Sequence, residues 1–147
     1  MSTAFRSVLA AVVGALSAAP ALAEGRVYAN RLQPLPAGRA SAVVVRLEQS
    51  GPREAVLGAL DWSTQLAVEC YARGQIGSDP AEAVDALLQD AWQRLRLLDA
   101  AQLGAMAIES ESPIEWLFDE LDTPLACAVI RVTVLHRTPA ASLQPWN

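Results

Sequence analysis

Few residues in this chain have the right type and spacing to do chemistry. It carries one histidine, His136, and two cysteines, Cys70 and Cys127. A catalytic histidine needs a nucleophile or an orienting acid. No motif supplies either around His136, which stands between Leu135 and Arg137 at the end of an apolar run. The expectation is an exposed histidine at a strand end. A reactive thiolate needs a helix N-terminus or a nearby cation. Cys70 and Cys127 instead stand among Val, Ala, Glu and Tyr in strand-like stretches, which predicts buried small hydrophobes. Two cysteines form at most one disulfide and cannot build a four-ligand zinc site.

Glu109, Glu111, Glu115, Asp119, Glu120 and Asp122 make an acidic run. It lacks the D-x-D-x-D-G register of a calcium loop, so it reads as a solvated or partner-facing segment. Trp116 and Phe118 lie within it, and Trp146 lies near the last residue. Large aromatics in loops or tails anchor interfaces, and they also fill cores; both roles stay open for these three. No glycine-rich phosphate loop, G-x-S-x-G, H-E-x-x-H or C-x-x-C occurs. The chain is therefore read as a non-enzyme, with no catalytic residue, no cofactor and no metal.

The elements that must position these residues are organised around Ala126–Arg137. This run is rich in Val, Ile and Thr and contains neither Gly nor Pro. At period two, Ala126, Ala128, Ile130, Val132 and Val134 share one face, and the other face turns polar at Arg131. The run is too short for a membrane span. Ala40–Gln49 predicts a second strand, central because Val43–Val45 is solidly apolar. Gly51-Pro52 then predicts a turn, and Arg53–Leu60 is ambiguous. Trp62–Arg73 predicts a third strand, antiparallel to the second. Arg26–Asn30 predicts a short strand, and Leu32–Arg39 an extended connection.

Asp79-Pro80-Ala81-Glu82 marks a helix start: a capping Asp, Pro at the first helical position and Glu to close a capping box. The helix runs to about Leu98, burying Val84, Leu87, Leu88, Ala91, Leu95 and Leu98. Ala105–Glu111 predicts a strand. Pro113–Asp122 is either a strand or a loop that carries Trp116 and Phe118 outward.

Residues 1–23 admit two readings. Arg6, an apolar stretch from Val8 to Leu16 and Ala21-Leu22-Ala23 fit a cleaved secretory signal. Phe5, Val8, Leu9, Val12, Val13 and Leu16 also form a continuous helical stripe, with Ser2 or Thr3 as cap. The helix is the reading carried forward; it makes the chain cytoplasmic and its cysteines reduced.

At 147 residues, 52% hydrophobic and 18% charged, the chain is large enough for one self-sufficient core. Net charge −5 argues against wrapping nucleic acid on a basic face. The elements together predict an α/β (α+β) sandwich: a mixed, mostly antiparallel sheet with two main helices packed on one face. Residues 1–138 make one domain, and 139–147 a C-terminal tail.

The layout resembles a known family. An apolar first helix is followed by GRVYANRLQPLP (Gly25–Pro36), ASAVVVRLE (Ala40–Glu48), QLAVECYAR (Gln65–Arg73), DPAEAVDAL (Asp79–Leu87) and PLACAVIRVTVLHR (Pro124–Arg137). This order is similar to that of the tail terminator (minor tail protein U-like) proteins of long-tailed bacteriophages and prophages. The resemblance covers about residues 3–138. It implies a structural virion protein: a homohexameric ring on the head-proximal end of the tail tube. The ring stops tube polymerisation and joins the head connector, or stopper, protein. DNA passes through its lumen without specific binding, and no membrane is involved. The matching contact candidates are the 51–60 loop with Arg53 and Glu54, the 112–123 segment with Trp116 and Phe118, and the tail with Trp146. The alternative is a secreted or periplasmic small binding domain, cleaved after residue 23, with Cys70 and Cys127 paired.

Overall fold

A computed structural model describes residues 2–31, 38–74, 77, 79–109, 113–119 and 125–146. Helix α1 (Ala4–Ser17) starts at Thr3, whose side chain accepts from the Arg6 N–H at 3.4 Å. Of the two candidate caps, Thr3 is therefore the one used. The stripe is buried as its spacing predicts: Val8, Leu9, Val12 and Leu16 lie in the core. Each such side chain contributes roughly 1.5–3 kcal/mol when fully removed from water. Phe5 is only half-buried; its ring meets Trp62 and His136 edge-on.

The carbonyls at the end of a helix have no intrahelical donor. Arg94 supplies one here, its guanidinium donating to Leu16 O at 3.1 Å and to Ala18 O and Pro20 O. The expected loop follows, a tight turn at Leu22–Gly25 with left-handed backbone at Ala23 (φ 50°) and Glu24 (φ 56°), and Leu22 is buried.

Strand β1 (Val27–Ala29) pairs parallel to β2 (Ser41–Val56). Here the expected Gly51-Pro52 turn is overturned. β2 runs through both residues and turns only at Leu57-Gly58, where Gly58 has φ +75°. Val56 faces Ala59 across this two-residue loop, a geometry that requires positive φ. Pro52 is tolerated because β1 covers only Val43–Val45, leaving this part of β2 at a sheet edge. The ambiguous 53–60 segment is thus the closed end of a hairpin and not a loop.

Strand β3 (Ala59–Arg73) is antiparallel to β2, as expected. Helix α2 (Pro80–Arg96) begins at Asp79, whose carboxylate accepts from the Ala81 N–H at 3.0 Å. It stops short of Leu98, which still packs against the core. Asp99 then caps a 3-10 turn at Ala100–Leu103, closed by Gly104 at φ +65°.

Within the expected 105–111 strand, Ala107–Glu109 forms β4, and residues 110 and 111 lie outside the described residues. Glu115–Asp119 forms β5, which settles the 113–122 ambiguity in favour of a strand for these residues. The organising strand, β6, spans Leu125–Pro139. β6 pairs β3 along one side; on its other side β5 takes residues 125–129 and β4 takes 133–135.

The result is the expected α+β sandwich, a six-stranded mixed sheet, mostly antiparallel, with α1 and α2 on one face. Both helices bury their stripes against Val43, Val45, Leu66, Val68, Cys70 and the even-numbered face of β6. The other face carries a smaller apolar patch of Ala67, Cys127, Val129 and Tyr71. Beyond it that face is bridged by ion pairs: Arg46–Glu69 at 2.6 Å and Arg137–Asp61 at 2.6 Å.

Candidate assembly surfaces

Strand β5 presents Trp116, Leu117 and Phe118 to solvent, each about half exposed (46%, 58% and 51%). The alternation explains this. Trp116 and Phe118 point to the helix side of the sheet beside Ala128 and Ala126, and Leu117 points to the other side beside Cys127. None of the three joins the core. The strand is nevertheless well held. Arg131 forks Glu48 through Nε at 2.9 Å and Nη2 at 3.3 Å, and its Nη1 donates to Glu115. Ile114, just before β5, packs against the core and shares a shallow cleft with Leu88 and Trp92 of α2. Among the described residues, no strand pairs the outer edge of β5.

Arg53 and Glu54 lie exposed on the distal part of β2, beside Asp61, Trp62, Met106 and Leu135. Leu57, at the hairpin tip, is fully exposed. Trp146 is half exposed (48%); its N–H donates to Arg137 O at 3.3 Å, and the Arg137 guanidinium stands 5.8 Å from its ring. The tail also reaches α1, where Leu143 O accepts from the Ala4 N–H at 2.7 Å. The five residues proposed for contacts therefore fall into two groups. Trp116 and Phe118 flank the start of β6; Arg53, Glu54 and Trp146 cluster near Arg137 at its end, roughly 33 Å away at the rise of a strand.

His136 corrects its expectation. It is buried, 1% exposed, and not an exposed strand end. It continues the even-numbered inward face of β6, so period-two counting from Val134 could have placed it. Its Nε2 lies 2.6 Å from Thr64 Oγ1, which lies 2.9 Å from Ser50 Oγ. Its Nδ1 is buried without a hydrogen-bond partner. Burial holds the imidazole below the ordinary histidine range. Phe5 packs edge-on against the imidazole, with ring centroids 5.4 Å apart. Thr64 and the ring are buried and Ser50 is half-buried, so the three side chains tie the inner face of β6 to β3 and β2.

Cys70 and Cys127 are both buried and free. Cys70 packs in the main core under the helices, whereas Cys127 packs on the opposite face. The sheet separates them, which removes the disulfide from the alternative reading. Burial pushes both thiols up to about 12. Of the acidic run, Glu111, Glu120 and Asp122 lie outside the described residues. Among the described residues, no group of three or more His, Cys, Asp or Glu is gathered to hold a metal ion.

No protein-family model matches the chain, and no curated protein matches it. What the surfaces can do follows from their chemistry. A half-exposed apolar edge strand, a projecting hairpin tip and an aromatic tail have the chemistry of surfaces that pack against another polypeptide. Among the described residues, no helix is long and apolar enough to cross a membrane.

Proposed function

We propose that this chain is a structural virion protein that caps the head-proximal end of a phage tail tube. As a homohexameric ring it ends tube polymerisation and forms the joint to the head connector. The observation that carries this reading is the way the first helix is built into the fold. Its stripe completes the core of the sandwich, and the resemblance to tail terminators starts from that same apolar helix. Cleavage after Ala23 would strip Val8, Leu9, Val12, Leu16 and Leu22 from that core, which speaks against the secreted alternative. The chain works by assembly, with no catalytic step, cofactor or metal. A net charge of −5 suits a lumen past which DNA slides without sticking. Its partners are further copies of itself, the tail tube protein and the head connector. It is assembled in the host cytoplasm and resides in the virion.

The test is deletion of the coding sequence from a phage or prophage that produces the protein. Tubes of uncontrolled length that fail to join heads are the expected particles. Normal tailed particles from the deletion overturn the proposal.

A further inference from the structure

The sheet has two open edges at one level. Val27 of β1 aligns with Val43, Val43 with Cys70, Cys70 with Ala128 and Ala128 with Trp116 of β5. β1 and β5 thus bound the same row of a five-strand path, and among the described residues neither has a partner on its outer side. Open edges are templates for strand addition. The chain protects its other long edge: the distal part of β2 carries Pro52 and two register shifts, at Leu47/Gln49 and Pro52/Glu54. β5 has neither a proline nor a shift, and it exposes three large apolar side chains.

We infer that β5 of one copy pairs with β1 of the next, so that the sheet continues from copy to copy. This deepens the ring reading and rests on it. Strand polarity supports the joint. β1 runs parallel to β2, and three antiparallel steps through β3 and β6 leave β5 running opposite to β1. Rotation about an axis along the strands preserves their direction. The joint between rotated copies is therefore antiparallel. It brings the Arg31 end of β1 to the Glu115 end of β5, and the Arg26 end to the Asp119 end.

Charge also selects this joint over the two-fold alternatives. Antiparallel β5–β5 pairing sets Glu115 against Asp119, and β1–β1 pairing sets Arg26 against Arg31. Arg31 stands 4.2 Å over the Tyr28 ring and makes no ion pair among the described residues. A joint between two different surfaces repeats around a ring, whereas an isologous one stops at a dimer.

Cross-linking of the full-length protein tests this. Ala29 of β1 and Trp116 of β5 both face the helix side of the sheet. The native thiols are buried and stay silent. Ala29→Cys and Trp116→Cys proteins, mixed and treated with a short bismaleimide, are expected to give a covalent dimer that neither gives alone. A double variant is expected to give a ladder. Phe118→Cys replaces Trp116→Cys if the latter fails to melt like the parent. No dimer in the mixture, or dimers from a single variant alone, overturns the joint. Native mass measured alongside separates the two readings. Hexamers without these cross-links overturn the joint and leave the ring, whereas ladders without a closed particle support the joint and overturn the ring.

Discussion

Leu16→Ala and Gly14→Ala, two residues apart on α1, are expected to shift stability in opposite directions. Leu16 is fully buried against the sheet and α2 cluster. Truncation removes its transfer energy and leaves a cavity, a loss of about 2–5 kcal/mol. In a chain of 147 residues this lowers the melting temperature by roughly 5–15 °C. Gly14 lies on the exposed face of the same helix, and a Cβ added there meets nothing within 4 Å. Alanine relieves the entropic cost of a mid-helix glycine and adds about 0.5–1 kcal/mol. The Arg94 clamp holds backbone carbonyls, so neither change removes it. Urea unfolding followed by circular dichroism reads both effects at constant slope. A Leu16→Ala loss below about 1 kcal/mol, together with no gain from Gly14→Ala, refutes a packed first helix.

His136 makes stability pH-dependent. Burial lowers its folded-state pKa beneath the unfolded value near 6.5, so the unfolded chain binds the proton first. Stability is full above about pH 7 and falls as pH drops below 6.5, by up to about 1.4 kcal/mol per unit. His136→Gln flattens this window in urea titrations; an unchanged slope refutes the assignment. The Asp61 carboxyl, held down by its hydrogen bond from Arg137, contributes a separate loss only at still lower pH. Cys70 and Cys127, with thiols pushed up to about 12, are expected to resist a thiol reagent at pH 8 in the native protein and to react fully in urea. A single fast thiol in the native state contradicts their burial.

Much of this fold is legible in the residues because local and tertiary demands coincide. Phe5–Leu16 shows its helical stripe, Asp79-Pro80 its cap, and Ala126–Arg137 its alternation, and each element forms where its pattern lies. Gly51-Pro52 misleads because proline is punctuation only in a central strand. At an edge it is permitted, and which strand lies at the edge is decided by the short reach of β1. His136 misleads because its chemistry suggests water while its parity directs it inward. Trp116, Phe118 and Trp146 are visible as aromatics, but their exposure depends on whether a neighbour covers β5 and the tail. That is a tertiary fact that period and composition do not carry.

Native mass spectrometry of the full-length protein bears most directly on the whole account. A closed particle of six times the 15.6 kDa chain mass, each subunit still carrying α1, is the predicted result. A strictly monomeric polypeptide that begins at Glu24 contradicts it.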